Sequence, residues 1–408
     1  MDSPEASLFR DIVGAPAYMA GRASHIRGVV AAGDKLTIQL TRADPALLPR
    51  LAMPFFCAVP SDTPIDPNGV AVIPSAGPYT IRSNTPQGIV LIRNPNYHGP
   101  RPHHFDRIEL SLNVQGPQAI RAVEDGAADY ADGIEFNAVD DKGLAARYGA
   151  GSRDARSGDQ QYFVDIMPEL DFFTLNTHRP LFSHERLREA VNYAIDREAL
   201  ARLGDMWSPL PAAPFDHYLP PGVPGYSDVR VFGPKPDLKR ARRLARSYAG
   251  ATVVLYTCDY APCPQQAQIV KTDLAAIGLH VRVEQFGSAL FSRVVHPGEP
   301  FDMASVNWVA DYPDPGDFLN TLLETPELMP TFRDAGAARE LARAAELTGT
   351  RRYLAYARLD LKLATTAAPW VAFGDAYDRT LLSGRIGCRV YSPVYATDFA
   401  ALCLRRKR

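Results

Sequence analysis

Apolar residues along the chain follow two periods, an alternation typical of strands and a wider spacing typical of helices. The clearest succession of the two lies between residues 252 and 308. It predicts a strand at 252–256, a helix at 264–277, a second strand at 279–284, a short helix, and a third strand at 302–308. Such a succession predicts a parallel sheet, and ligands of these sheets bind at the carboxyl ends of the strands.

The rest of the chain continues this alternation, which predicts an α/β fold. Further strands are predicted at 34–40, 79–82, 89–93, 108–112, 172–176 and 370–373. Further helices are predicted at 44–53, 118–125, 184–203, 237–248 and 337–364. Ser183 and Asp237 precede two of these helices, and we expect them to act as caps because their side-chain oxygens can accept first-turn N–H groups. The proline-rich segment 208–236 is expected to be irregular.

Length and charge narrow the class of protein. At roughly 150 residues per domain, 408 residues suggest two or three domains. The 44 basic and 46 acidic residues give a net charge of −2, which favours neither nucleic-acid binding nor disorder. No stretch supplies the ~20 apolar residues of a membrane helix. The first residues lack the features of a signal peptide, so either the protein is cytoplasmic or the chain lacks its natural beginning.

Five cysteines leave the redox compartment open. Cys258 and Cys263 lie five positions apart, Cys388 and Cys403 lie fifteen apart, and Cys57 stands alone. Two short-loop disulfides with one free thiol suit an oxidising compartment. Five unrelated reduced thiols fit the spacing equally well. A zinc site is less favoured, because no Cys-x-x-Cys motif occurs.

Motifs of catalysis and nucleotide binding do not occur in the sequence. It contains no GxSxG, HExxH or GxxxxGK[ST] motif, and no GxGxxG motif follows a predicted strand. The basic residues of the helix predicted at 237–248 are expected to form a solvated face. We therefore expect no enzyme, no cofactor and no metal site.

Three acidic residues, Asp311, Asp314 and Asp317, follow the third strand of the predicted parallel sheet. They do not fit a calcium loop, which needs oxygen ligands at alternating positions and a glutamate at the twelfth. Asp314 and Asp317 are expected to cap a helix that begins near Phe318. Asp311 stands at the strand end, where a carboxylate can bind a cationic group such as a peptide α-ammonium. The alternative for Asp311 is an ordinary surface aspartate.

Three blocks of sequence, taken together, resemble one protein family. The blocks are AGPY with LIRNPNYHG at 76–79 and 91–99, FTLNT with RLREAVNYAIDRE at 173–177 and 186–198, and NWVADYPDP at 307–315. They are similar, in the same order, to motifs of the oligopeptide- and dipeptide-binding proteins of ABC importers. These proteins form family 5 of the extracellular solute-binding proteins.

The resemblance implies an α/β, periplasmic-binding-protein-like fold of type II and the extended class, with two lobes joined by a hinge. Lobe I is expected at 1–172, lobe II at 173–372, and a return to lobe I at 373–408. Members of the family carry an N-terminal part ahead of the position matched by Met1. The resemblance therefore implies an N-terminally truncated chain whose first lobe is incomplete. Such proteins close on a ligand as a hinged clamp.

The resemblance also implies a function without catalysis. Peptides or peptide-like solutes are captured between the lobes and delivered to the permease subunits of an ABC importer. The implied location is the periplasm or the outer face of the cell membrane, peripheral to the membrane at most. The implied ligand-binding residues are Asp311 for the α-ammonium, Trp308 beside it, Asn176 and Tyr312. Main-chain groups are expected to bind the peptide backbone.

The resemblance also bears on two details. Export favours the disulfides Cys258–Cys263 and Cys388–Cys403. Dipeptide binders carry an arginine for the ligand carboxylate at the turn matched here by 256–259, which contains no basic residue. A short peptide would therefore lack that clamp.

The alternative function is a ligand-sensing or regulatory segment of a larger or cytoplasmic protein that reuses the fold without transport.

Overall fold

The computed structural model describes residues 4–64, 66, 69–70, 72–133, 136–325 and 328–405. The strands are β1 (Val29–Ala32), β2 (Lys35–Ile38), β3 (Tyr79–Thr85), β4 (Gly88–Arg93), β5 (Arg107–Ser111), β6 (Tyr130–Asp132), β7 (Tyr162–Leu175), β8 (Thr252–Cys258), β9 (His280–Phe286), β10 (Met303–Val309), β11 (Trp370–Leu382), β12 (Ile386–Gly387), β13 (Tyr391–Ser392), β14 (Ala396–Thr397) and β15 (Cys403–Leu404).

The α-helices are α1 (Ala15–Met19), α2 (Leu47–Leu51), α3 (Gly116–Glu124), α4 (Ala138–Tyr148), α5 (Arg153–Arg156), α6 (Glu185–Ala194), α7 (Arg197–Ala201), α8 (Leu238–Ala245), α9 (Cys263–Ala275), α10 (Leu290–Val295), α11 (Pro315–Glu324), α12 (Ala335–Ala345) and α13 (Gly349–Thr366). Short 3₁₀ helices occupy Pro4–Phe9, Pro54–Phe56 and Arg246–Tyr248.

The chain divides into two compact units, each assembled from separate segments. Unit 1 comprises Met1–Phe56, Pro168–Met206 and Pro211–Ala376. Unit 2 comprises Cys57–Met167, Trp207–Leu210 and Tyr377–Arg408. The chain passes between the units before Pro168 and after Ala376, close to the predicted lobe boundaries. Residues 1–56, however, group with the segments predicted as lobe II. The division at 1–172, 173–372 and 373–408 stays a prediction.

Unit 1 is built on a mixed sheet with the strand order β11-β7-β10-β8-β9. β8 runs parallel to both β9 and β10, which confirms the predicted parallel strand–helix unit. β10 is antiparallel to its other neighbour, β7. An antiparallel strand beside a parallel set is common in large α/β sheets.

The main core of unit 1 lies between this sheet and its helices. Leu187, Val191 and Ala194 recur at helical spacing on α6 and are fully buried. They pack in one cluster with Val253 and Leu255, which are alternate residues of β8. The removal of these apolar side chains from water is the main stabilising contribution of the cluster.

The N-terminal segment of unit 1, which ends at Phe56, packs through a second apolar cluster. Leu8, Ala46 and Met53 are buried together with Tyr312, which follows β10. Arg50 Nη1 donates a 2.9 Å hydrogen bond to the carbonyl of Leu8, which ties the two ends of this segment together. The position after β10 is therefore covered by a distant part of the sequence.

Unit 2 contains an antiparallel three-stranded sheet in the order β3-β4-β5. In the same unit, β6 pairs antiparallel with the end of β11. The buried apolar cluster of this unit includes Ile120, Val123, Leu144, Tyr162 and Leu381. Four two-residue strands form the pairs β12–β15 and β13–β14 near the end of the chain.

The single helix predicted over 184–203 is wrong in its extent. The structure has two helices, α6 and α7, because Ile195 adopts an extended backbone conformation. Asp196 then caps α7 by accepting the N–H of Ala199. The periodicity did not reveal this break, because the apolar residues keep helical spacing across it.

The two predicted caps differ in their outcome. Asp237 caps α8, since its Oδ1 accepts the N–H of Arg240 at 2.9 Å. Ser183 is not a cap, because α6 begins after His184 and Ser183 Oγ donates to the carbonyl of Pro180 at 2.8 Å. One residue of shift in the helix start removes the capping geometry.

Two other predicted helices differ from the expectation, one by an interruption and the other by its length. The helix over 337–364 is interrupted between α12 and α13, where Gly349 has a φ of 57°. Glycine adopts this left-handed conformation without the steric penalty of a side chain. The helix over 44–53 is reduced to the single turn of α2.

The strands β7 and β11 are longer than the predicted 172–176 and 370–373. Their extensions include acidic and other polar residues, which lowered the apolar signal. The two-residue strands β12 to β15 were not predicted, because so short a segment has no measurable period.

The proline-rich segment 208–236 is irregular, as predicted, with only an isolated bridge between Pro214 and Gly374. Asp216 Oδ2 organises it by accepting the N–H groups of three consecutive residues, Val231 to Gly233. Among the described residues, no helix combines the length and the apolar character that crossing a membrane requires.

Candidate functional site

The end of β10 has an open backbone edge. Ala310 N–H donates to the carbonyl of Pro168 at 2.9 Å, so the even-numbered residues of β10 direct their backbone groups toward β7. The odd-numbered residues Asn307 and Val309 consequently direct theirs to the opposite side. There, within the described chain, the ladder with β8 covers only the first two residues of β10. An extended peptide can pair with such an edge.

Trp308 and Asp311 are positioned at this edge by Asp317. Asp317 Oδ2 accepts the backbone N–H of Asp311 at 2.8 Å and the indole Nε1–H of Trp308 at 3.4 Å. Trp308 and Asp311 are half-buried, whereas Asp317 is fully buried. Burial, followed by the charge of Asp311, raises the pKa of Asp317 well above its ordinary value. Burial thus disfavours the charged form of Asp317.

Asp314 anchors the loop between β10 and α11, which carries Asp311. It caps α11 by accepting the N–H of Gly316 at 2.8 Å. It also receives two hydrogen bonds, of 2.7 and 3.0 Å, from the buried guanidinium of Arg352. The predicted cap at Asp314 is confirmed, whereas the cap predicted at Asp317 is wrong because that side chain turns back toward β10.

The other two predicted ligand residues occupy different places. Tyr312 is buried in the apolar cluster of the N-terminal segment. Asn176 follows β7 at the end that faces the start of β10, opposite the end that carries Trp308. Its Nδ2 donates to the carbonyl of Phe301, and its Oδ1 accepts the N–H of His178. The structure thus brings Trp308 and Asp311 together and leaves Asn176 at the far end of the strand pair.

A buried acidic cluster lies beside the same end of β10. Glu169 and Asp171 of β7 are 0% and 2% exposed, and Asp205, after α7, is 4% exposed. Burial, followed by the charge of Asp205, raises the pKa of Glu169 to about 8. Burial and the neighbouring acids raise the pKa of Asp171 well above its ordinary value. This cluster was not predicted from the sequence, although two acids at alternate positions of an apolar strand are a recognisable signal.

A comparison with protein families identifies the fold to which this site belongs. The family model described as "Bacterial extracellular solute-binding proteins, family 5 Middle" matches residues 7–328. The chain belongs to the extracellular solute-binding proteins of family 5. The resemblance seen in the three sequence blocks is thereby confirmed, and the family is an extracellular one by its description.

Two relatives of this family 5 protein show the extent of the similarity. The oligopeptide-binding protein OppA of Mycobacterium tuberculosis (strain ATCC 25618 / H37Rv) is 29% identical over 255 residues, which are 58% of this chain and 41% of that protein. Di/tripeptide-binding protein 2 of Pseudomonas aeruginosa (strain UCBPP-PA14) is 24% identical over 248 residues, 56% of this chain and 44% of that protein. Each alignment spans less than half of the relative.

Solved structures confirm the periplasmic-binding-protein-like α/β fold. The binding protein DppA from Helicobacter pylori, in complex with the peptide STSA, has a TM-score of 0.73 at 20% identity, covering 98% of this chain and 76% of that one. The murein tripeptide binding protein MppA of Escherichia coli has a TM-score of 0.74 at 18% identity, covering 100% of this chain and 81% of that one.

The cysteines of this family 5 protein are paired in the structure as the resemblance implied. Cys258 joins Cys263 between the end of β8 and the start of α9, and Cys388 joins Cys403, with Cα–Cα distances of 5.4 Å in both. Cys57 is exposed and free. The turn after β8 carries the exposed Asp259, and no basic side chain stands there.

A cavity of about 390 Å³ in unit 2 is a weaker candidate for a ligand site than the edge of β10. Its charged lining residues include Glu124 and Arg385. Glu124 pairs with Arg147, and Arg385 pairs with Asp129. Since these charges already have partners, the cavity presents little unsatisfied polarity to a ligand.

Proposed function

We propose that this chain is the substrate-binding component of an ABC importer, which captures peptides or peptide-like solutes and delivers them to permease subunits. The open edge of β10 at Asn307 and Val309 carries the proposal. Backbone hydrogen bonds at a strand edge hold any extended peptide regardless of its side chains. Membership of family 5 supports this role, as do the names of the relatives, which describe oligopeptide and di/tripeptide binding.

In this proposal, Asp311 binds the α-ammonium group of the peptide, and Trp308 lies beside it. Asp317 orients both by accepting their N–H groups. Burial raises the pKa of Asp317, and the carboxylate of Asp311 can form a charge-assisted hydrogen bond with the ammonium group. Tyr312 contributes by packing in the apolar cluster with Met53, whereas Asn176, at the far end of the strand pair, takes no part in this arrangement.

The turn after β8 bears on the length of the peptide. Residues 256–259 carry the exposed Asp259 and offer no basic side chain to a peptide carboxylate. We therefore propose that the affinity depends on the N-terminus and the backbone, and that peptides of different lengths are accepted.

We also propose that the protein binds without catalysis and acts in the periplasm or at the outer face of the cell membrane. The extracellular description of the family supports the location. The two disulfides support it too, because structural disulfides persist in oxidising compartments.

Replacement of Asp311 tests the ammonium site. Asp311→Ala should weaken the binding of a free peptide by about tenfold or more, because a hydrogen-bonded charge pair contributes ~1.5–3 kcal/mol. The same peptide with an acetylated N-terminus should bind both proteins with nearly equal affinity. Isothermal titration calorimetry with both peptides gives the comparison.

Asp228→Ala, which removes an exposed carboxylate elsewhere in unit 1, serves as the matched control and should change neither affinity. Equal losses for free and acetylated peptides would remove Asp311 from the ammonium role. Absence of any peptide binding by the unchanged protein would refute the proposed function itself.

A further inference from the structure

The buried acidic cluster of Glu169, Asp171 and Asp205 has a geometry that the peptide site does not use. Glu169 and Asp171 lie on the same face of β7, opposite Val309 and Asn307 of β10. One carboxylate oxygen of each of the three acids lies within 4.8 Å of the other two. Three carboxylates therefore converge in the interior of unit 1.

Two of these side chains keep an oxygen without a hydrogen-bond partner. Asn307 Nδ2 donates to Glu169 Oε1 at 2.9 Å. Glu169 Oε2 and Asp171 Oδ2, both buried, accept no hydrogen bond from the described residues. A buried, unsatisfied carboxylate costs several kcal/mol, so this position favours a positive charge.

The surrounding charges make the position more negative rather than less. The charge of Asp205 acts on both Glu169 and Asp171, and that of Asp375 acts on Asp171 as well. Asp375 is itself held by the N–H of Ala213. The charged neighbours that act on Glu169 and Asp171 are thus further acids, and a bound cation would satisfy the two oxygens that have no hydrogen-bond partner.

The donor set identifies the class of cation. Ca²⁺ binds carboxylate oxygens at about 2.3–2.6 Å, so two ligands on opposite sides of the ion are about 5 Å apart. The convergence of the three oxygens within 4.8 Å fits this spacing. Zinc and copper favour nitrogen and sulfur ligands, and Mg²⁺ usually retains several waters. We propose that Glu169, Asp171 and Asp205 bind one hard divalent cation of the Ca²⁺ class inside unit 1.

The proposal is tested by calcium binding to the full chain without peptide. After dialysis against EDTA, isothermal titration with CaCl₂ should show one site per chain, and Ca²⁺ should raise the thermal unfolding midpoint. Glu169→Gln and Asp171→Asn, made separately, should each lower the Ca²⁺ affinity by at least tenfold, because each removes one anionic ligand of nearly unchanged shape. Asp273→Asn replaces a partly buried carboxylate of α9 outside the cluster and should leave Ca²⁺ binding unchanged.

Either of two results would overturn the proposal: no Ca²⁺ binding by the unchanged protein up to millimolar concentration, or equal binding by the unchanged protein and both amide variants. Because the two variants are made separately, one folded variant is enough for the comparison if the other folds poorly. Circular dichroism reports which variants are folded. Asp311→Ala should retain calcium binding, so failure of the cation site and failure of the peptide site are distinguishable.

Discussion

The carboxylate of Asp314 combines two roles in one side chain. It caps α11 and accepts two hydrogen bonds from Arg352, which is almost fully buried on α13. Through these contacts, a residue far along the sequence fixes the loop that follows β10 and carries Asp311. The pair is one of the buried ion pairs whose disruption leaves an uncompensated charge.

Removal of Arg352 should therefore destabilise the protein strongly. Arg352→Ala leaves the Asp314 carboxylate buried without its cation, and we expect a loss of about 3–5 kcal/mol in the free energy of unfolding. Urea denaturation followed by fluorescence measures it. Arg107→Ala, which breaks the exposed pair with Glu109, should cost at most about 1 kcal/mol. Similar losses for the two variants would contradict this account.

At the residue scale, the sequence predicted what depends on neighbours along the chain. The cap at Asp314 follows from its position before an apolar helical run, and the sequence motif singled out Asp311. Arg352 was not predicted, because its pairing with Asp314 arises from the packing of α13. Asp317 was assigned the wrong role for the same reason, since the choice between capping a helix and turning back to Trp308 is made by tertiary contacts.

At the element scale, Asp237 and Ser183, the two residues that the sequence predicts as caps, allow a direct comparison. Asp237→Ala removes the acceptor of the Arg240 N–H, and the loss of such a cap costs about 1 kcal/mol. Ser183→Ala removes only a hydroxyl that donates to the exposed carbonyl of Pro180, so its cost should be clearly smaller. Thermal unfolding of the two variants in parallel measures the difference. A larger loss for Ser183→Ala would mean that α6 begins one residue earlier than described.

Elements with a strong local period were predicted, and elements defined by partners were not. The run from β8 to β10 is confirmed as a parallel unit, because each strand and helix in it has its own apolar period. The antiparallel neighbour β7 and the open edge of β10 depend on register, which a single strand does not encode. Hence Asp311 was found from its motif, whereas the edge beside it and the cluster of Glu169 and Asp171 required the structure.

At the scale of the whole molecule, the packing of the N-terminal segment contributes to the stability of unit 1. Met53 is 2% exposed in the cluster that includes Tyr312, whereas Leu48, on α2, is 76% exposed. Met53→Ala should therefore lower the free energy of unfolding by about 2–5 kcal/mol, and Leu48→Ala by less than about 0.5 kcal/mol. Hydrogen exchange with mass spectrometry locates the effect.

Faster exchange after Met53→Ala is expected around Tyr312 and α11, both in unit 1. The three-stranded sheet of unit 2 should keep its protection. Loss of protection in that sheet, with none around Tyr312, would show that the N-terminal segment stabilises the other unit instead.

The late position of β11 has a consequence for how this protein is made. The sheet of unit 1 receives Trp370 and Phe373 of β11, whose rings pack on Phe172 and Phe173 of β7. Ribosomes add about 5–20 residues per second, so roughly 10–40 s separate the synthesis of Phe173 from that of Trp370. During that interval the nascent chain carries β7 without its aromatic partner, a surface that chaperones recognise. The sheet of unit 1 is therefore completed only after β11 has been synthesised.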